Sequence, residues 1–323
     1  MESLCIRVSK KAGEDTRQKL IELGAIDKNL KIKSEGEDLL IPIIKSIEGY
    51  DIEKQDFEVL KKEESLVDAL GFIPAYEIVG DIAIIDQYAS DAHKIADALM
   101  RQKNIKTVLQ AASAVEGEYR TREFTFLAGE KMTETLYKEN GCRYLLDVSR
   151  VYFTPRLATE RMRIADQVKD GDKVLDMFAG VGPFSILIAK KFPSSQVIAI
   201  DKNPVAIKYL KENVRLNKVK NVEVREGDAR EEIIGISGAD HIIMNLPLSS
   251  MEFLEPAFSA IKEGGIIHLY AIAHEDDLFD GILRRIEESA RRFNLRIIAI
   301  DRRIVRPYAP YQYNICIDFQ VIC

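Results

Sequence analysis

From Gly171 onward, short apolar runs alternate strictly with longer helix-compatible segments. The apolar runs fall at 173–178, 197–201, 222–225, 240–245, 265–272, 296–304 and 313–321. Each has the length of a strand, and runs this continuously apolar suit strands covered on both faces. Helical spacing fits the intervening segments 183–191, 203–216, 251–262 and 277–293. That order predicts an open α/β sheet. Only a short loop, Val305 to Pro310, lies between the last two runs, too short a link for a parallel crossover, so an antiparallel hairpin is expected at the end of the sheet.

Upstream, the pattern is finer. Leu4 to Val8 alternates like a strand, Gly13 to Leu23 reads as a helix, and Asp38 to Ile43 as another strand, with Phe57 to Lys62 a further candidate. Residues 1–65 therefore read as one small α/β domain. The charged stretch Lys61 to Ser65 and the Gly71/Pro74 region suit a linker. A second small α/β domain is expected over 72–168. It would hold a hairpin over Glu77 to Asp86 broken at Gly80-Asp81, a helix over Asp91 to Gln102, and strands at Lys106 to Ala111 and Arg143 to Ser149. Between them runs the polar, partly exposed segment Glu116 to Glu123, and residues 151–168 lead through a turn and a helix into a third domain, 169–323. Seven strands with a closing hairpin are the layout of a Rossmann-like methyltransferase.

Composition narrows the class. The chain has 323 residues, 46% hydrophobic and 30% charged, which suits a soluble globular protein with two or three cores. No apolar run approaches the roughly 18–20 residues of a membrane span, and Met1 to Arg7 lacks a signal-peptide pattern. Cys5, Cys142, Cys316 and Cys323 are scattered, as are His93, His241, His268 and His274. Reduced thiols, a cytoplasmic location and no metal site are the expectation. Net charge is −6, yet residues 101–168 carry 12 basic against 9 acidic side chains, and residues 1–70 carry 12 against 16. Local basicity of that kind can hold phosphates on an acidic protein.

Chemistry gathers at the strand ends. Lys173 to Phe178 runs into the small-residue turn Ala179-Gly180-Val181-Gly182 and then into a helix, an arrangement that brings backbone N–H groups and a helix N-terminus against a ligand. Gly180 and Gly182 would permit close approach of the backbone. The next strand ends in Asp201, about twenty residues on, where a carboxylate can accept ribose hydroxyls or cap the helix that follows. Asp228 ends the third strand, within reach of an adenine amino group. The fourth ends in Asn245-Leu246-Pro247, which can present amide and carbonyl groups to a planar nitrogenous substrate. Ser185 stands where nicotinamide enzymes carry a third glycine. Together these features point to an S-adenosylmethionine-dependent methyltransferase acting on nitrogen.

The sequence closely resembles the archaeal and eukaryotic tRNA (guanine-37-N1)-methyltransferase family over essentially its full length. The matching stretches are Ser34 to Gly36, Gly117 to Glu123, Leu127 to Glu130, Val151 to Leu157, Glu160-Arg161, Asp176 to Ser185, Asn245 to Pro247 and Arg306 to Pro310. The resemblance implies a monomer of three domains that methylates N1 of the guanosine 3′ of the anticodon. It implies that the N-terminal domain meets the outer corner of the tRNA and tests its shape. Asp176, Phe178, Gly180, Gly182, Asp201, Asp228 and Asn245 would contact the cofactor, and Asn245, Pro247, Arg156 and Arg161 the substrate.

Guanine N1 is a poor nucleophile until its proton leaves, and negative charge then grows toward O6. A base and a cation at O6 are therefore needed. The resemblance gives Glu160 as the base and Arg120 as the O6 partner, with Tyr152 positioning one of them. Read on its residues alone, Glu160 also suits a first-turn helix carboxylate, and Arg120 a surface cation. Leu246 departs from the commoner Asn-Pro-Pro. A wyosine-pathway enzyme acting on the same nucleotide, by methyl or aminocarboxypropyl transfer, and a non-catalytic tRNA-binding protein are the alternatives.

Overall fold

The computed structural model of the chain describes residues 1–60, 66–115 and 117–322. Most of the expected linker, 61–65, together with Glu116 and Cys323, lies outside the described residues. Two compact units emerge, Met1–Gly71 and Phe72–Cys323.

The first unit is a four-stranded antiparallel sheet in the spatial order Lys33–Glu35, Asp38–Ile43, Glu2–Ser9, Ile52–Asp56. Helix Gly13–Glu22 places Leu20 beside Ile6, Ile41 and Ile43 in its core. Each such side chain removed from water contributes about 1.5–3 kcal/mol. The strand expected over 57–62 lies earlier, at Ile52–Asp56. Phe57 instead turns inward to pack with Leu30 and Leu40. Its apolarity marks the core and not the ladder.

In the second unit the seven-stranded sheet has the order Val222–Glu226, Gln196–Asp201, Lys173–Asp176, Ala239–Met244, Ile261–His274, Gln312–Ile322, Arg296–Ala309. The first five strands are parallel, and Gln312–Ile322 runs antiparallel to both of its neighbours. The closing hairpin is thus present, but Val305 to Ala309 belongs to the strand Arg296–Ala309 and not to a loop. Val174 and Leu175 are fully buried on opposite faces of the central strand. Helix Pro183–Lys191 buries every residue from Phe184 to Ala189 and leaves Lys190 and Lys191 exposed at its end. That places cations at the negative end of the helix dipole.

Residues 72–168 contribute part of their apolar surface to a cluster shared with the large domain. Their four-stranded sheet, in the order Tyr76–Val79, Ile82–Ile85, Thr107–Ala111, Phe124–Gly129, and the hairpin Glu134–Glu139/Cys142–Asp147 share one apolar cluster with the large domain. Apolar contacts cross the expected boundary at 168/169, where Ile164, Ala165 and Val168 share a cluster with Val174. The join is polar as well as apolar. Asn213 accepts from Leu145 N at 2.7 Å and donates to Leu145 O at 3.0 Å. One helical turn on, Asn217 does the same with Arg143 N at 2.9 Å and Arg143 O at 2.6 Å. Two helix amides thus complete the free edge of the strand Cys142–Asp147, a pairing a buried edge needs.

Candidate active site

A cavity of about 380 Å³ opens where the strand order reverses, at the carboxyl ends of the central parallel strands. Ligands of open α/β sheets bind at such switch points, and the volume lies in the usual range for small-molecule sites. One half of its wall is acidic and glycine-rich. The other carries arginine, tyrosine and asparagine.

On the acidic half, Gly180 takes a left-handed φ of +56°, and a Cβ there would meet nothing nearer than Tyr152 O at 3.9 Å. Its backbone approach to the cavity is open. Gly182 does a different job from the one expected. At φ +89° a Cβ would fall 2.3 Å from Leu210 Cδ1, so this glycine lets helix Pro183–Lys191 pack on its neighbour and does not face the cavity. Asp201 Oδ2 accepts from Gly180 N at 2.7 Å and Oδ1 from Asn203 N at 2.8 Å. The helix cap is Asn203, which accepts from Val205 N and Ala206 N. Asp201 thus pins the glycine turn to the second strand, with lone pairs left for a ligand. Burial pushes its carboxyl up, against the three backbone N–H groups that hold it down.

Asp228 caps the short helix Ala229–Glu232 through Arg230 N and lines the cavity. Phe178 meets Phe253 edge-on at 4.9 Å, and Arg230 lies over Phe253 at 4.4 Å. Asp176 sits beneath the wall, 1% exposed, accepting from Ser185 Oγ at 2.6 Å while Oδ1 has no partner. Burial, with the nearby Asp201 charge, raises its carboxyl to about 7 despite the Ser185 bond.

On the other half, Arg120 stacks over the Tyr152 ring at 4.4 Å, and Arg306 Nη2 donates to Tyr152 Oη at 3.1 Å. Arg120 adopts φ +53° in a turn closed by its N–H on Gly117 O at 3.1 Å. A left-handed non-glycine residue is strained. Here the turn aims the guanidinium at Tyr152. Glu118 from the same turn pairs with Lys202 at 2.5 Å, next to Asp201. Asn245, Leu246 and Leu248 line the wall, whereas Pro247 is buried behind it, its carbonyl accepting from Ile272 N at 3.2 Å.

The two other expected substrate cations are engaged within the protein. Arg156 pairs with Glu77 at 3.3 Å away from the cavity wall. Arg161 reaches the wall, yet it is 2% exposed, paired with Glu139 at 2.6 Å, donating to Thr154 O at 2.7 Å and stacked on Phe153. Glu160 is buried outside the wall. Arg163 grips both its oxygens, at 2.6 and 2.9 Å, and Tyr270 Oη donates to it at 2.8 Å. It lies one turn beyond Leu157, which does line the cavity.

Sequence reasoning did not find Phe253, Arg230, Lys202 or Glu118. Phe253 reads as an ordinary core position of a helix, and the other three as solvated charges. Among the described residues, no three potential metal ligands come together.

Family models match most of the chain. Residues 135–298 match the TRM5/TYW2 methyltransferase domain, 5–51 the tRNA methyltransferase 5 N-terminal domain, and 59–133 the TYW2 N-terminal domain. The chain is 46% identical to a tRNA (guanine(37)-N(1))-methyltransferase, Trm5b, of Pyrococcus abyssi, with 99% of each chain covered. A solved complex of aTrm5 with tRNALeu matches at 35% identity and TM-score 0.72, covering 99% of this chain and 100% of that one. Methanocaldococcus jannaschii Trm5 in complex with adenosine matches at 35% identity and TM-score 0.64, covering 98% and 99%.

Proposed function

Because the chain belongs to the TRM5/TYW2 methyltransferase family, we propose that it methylates N1 of the guanosine at position 37 of tRNA, beside the anticodon, using S-adenosyl-L-methionine. The observation that carries this reading is the two-sided cavity. Asp201 and Asp228 on one wall suit ribose and adenine, while Arg120, Tyr152 and Asn245 on the other suit a base edge. The substrates of the relatives and the adenosine complex support it.

The residues present fit the cofactor. Gly180 leaves room for it, and the unpartnered Oδ1 of Asp176 offers a buried polar atom beneath the turn. When bound, S-adenosylmethionine supplies an electrophilic methyl group on a sulfonium. The chain's own residues supply the rest. On this reading Glu160, one turn beyond the wall residue Leu157, leaves its bonds to Arg163 and Tyr270 to reach the cavity and take the N1 proton, so that the nitrogen pair is free to attack. Arg120, held over Tyr152, meets the negative charge that grows at O6. Asn245 orients the guanine edge. A flipped base also needs aromatic and cationic cover, which Tyr152 and the basic segment 101–168 provide.

The same reading includes a monomer acting in the cytoplasm, with the N-terminal unit testing the tRNA's outer corner. The match of residues 59–133 to the TYW2 N-terminal domain supports a second reading, transfer to the tricyclic base on the same nucleotide. Radiolabelled methyl transfer to tRNA transcripts separates them. Label at N1 is expected with guanosine at position 37 and not with adenosine. No label on the guanosine transcript, with label on tRNA carrying the tricyclic base, favours the second reading.

A further inference from the structure

We propose that the ion pair between Glu118 and Lys202 couples the two halves of the cavity, so that filling the cofactor half fixes the turn that carries Arg120. The inference rests on the reading of Asp201 and Asp228 as cofactor residues and of Arg120 as a residue for the base. Gly117 to Arg120 all line the cavity, and so do Asp201, Lys202 and Asp228. Glu118 Oε1 lies 2.5 Å from Lys202 Nζ, so one ion pair spans from the base half to the acidic half. Lys202 is thus a positioning residue, acting on the substrate through the turn.

The turn has little else to fix it. It bends through left-handed backbone at Gly117, φ +73°, and at Arg120, φ +53°. A Cβ on Gly117 would meet nothing within 4 Å, and Glu118 and Tyr119 are exposed. Among the described residues, two charged contacts tie its side chains to the rest of the unit: Arg120 over Tyr152 at 4.4 Å and Glu118 on Lys202. A turn with so few buried contacts belongs to the mobile end of a structure. The far side of the bridge is anchored. Asp201 accepts from Gly180 N and Asn203 N, which fixes the backbone on both sides of Lys202.

The link to the ligand runs through one oxygen. Asp228 Oδ1 accepts from Arg230 N at 2.9 Å. Its Oδ2, the less occupied oxygen, can take a donor such as an adenine amino group, and lies 3.7 Å from Lys202 Nζ and 3.8 Å from Arg230 Nη1. Lys202 is therefore shared between two carboxylates, and these hold its ammonium above the usual range, Glu118 most strongly. A ligand N–H on Oδ2 takes up the charge that draws Lys202 toward Asp228, and the ammonium then turns wholly to Glu118. The turn is thereby held where Arg120 meets the base. Such coupling is reciprocal, so the RNA tightens the cofactor by the same factor. Side chains 49% and 61% exposed limit it to about fivefold, the most that so solvated a pair supplies.

The test is the affinity of the full chain for tRNA with guanosine at position 37, measured with and without saturating S-adenosylhomocysteine, which has no methyl group to transfer. In the wild type this ligand should tighten tRNA binding about two- to fivefold. Glu118→Gln and Lys202→Met should each bring the factor close to one, and together do no more than either alone. Lys202→Arg, which keeps charge and reach, should restore it. A bridge that merely braces the fold would alter the melting temperature and leave the factor intact. A wild-type factor of one overturns the coupling, and so does an unchanged factor in Glu118→Gln, which leaves Asp201 and Asp228 in place. Radiolabelled methyl transfer by the same wild-type preparation separates the two readings. Label at guanosine 37 without coupling overturns the bridge alone, whereas coupling without label removes the proposed reaction and keeps the bridge.

Discussion

Arg120 and Asp176 are each held in a state their residue type avoids. Arg120 holds φ +53° and stacks on Tyr152. If it meets charge that develops at O6, Arg120→Ala lowers the single-turnover rate by roughly 10²–10³ with modest change in tRNA affinity. Arg120→Gly, which relieves the left-handed strain, loses the rate equally. Collapse of tRNA binding with a normal bound rate would make it a phosphate contact. The Asp176 carboxyl is raised from its ordinary 3.8 to about 7 in the folded protein, first by burial and then by Asp201. Its contribution to stability is therefore present below about pH 4 and lost as pH rises through 7. Asp176→Asn should remove that loss, so the melting-temperature gap over wild type widens between pH 4 and 7 and corresponds to a few kcal/mol. A constant gap would mean that Asp176 is not protonated in this range.

Elements built from continuous apolar runs were legible in the chain, because parallel strands covered on both faces announce themselves. Helix Pro183–Lys191 and the closing hairpin follow from the same signal. The strands Lys33–Glu35, Ile52–Asp56, Phe124–Gly129 and Glu134–Glu139 were not read, since each has solvent-facing positions that dilute its pattern. At the site, residues on turns after strands were legible because position alone brings Asp201, Asp228 and Asn245 together. Three features carry no local signal: the constraint of Gly182 by Leu210, the place of Pro247 outside the cavity wall, and the Arg163 bonds that tie Glu160 to Asp318 far along the chain. The Asn213/Asn217 ladder was equally invisible. It leads to a direct expectation for this element: Asn213→Leu orphans Leu145 N and O, costing about 1–3 kcal/mol for each buried group left unpaired. Chemical denaturation measures this, and a change under 0.5 kcal/mol, roughly what surface substitutions give, would show water replacing the amide.

For the whole molecule, the two units divide charge as well as packing. Residues 1–70 carry 12 basic and 16 acidic side chains, so the N-terminal unit is net acidic. Residues 101–168, with 12 basic and 9 acidic, belong to the unit that holds the cavity. Affinity for tRNA through counterion release scales with the number of phosphates neutralised, and its salt slope reports that number. If the N-terminal unit recognises tRNA shape, then a chain starting at Phe72, which retains both large apolar clusters, should bind cofactor normally. Its tRNA affinity should show nearly the full-length salt slope. What it should lose is preference for intact tRNA over an isolated anticodon stem-loop, with methylation of the two approaching equal efficiency. Comparing kcat/KM for both RNAs at several salt concentrations checks this. A slope lower by more than about one phosphate contact, with the preference retained, would reverse the assignment and make the N-terminal unit an electrostatic anchor.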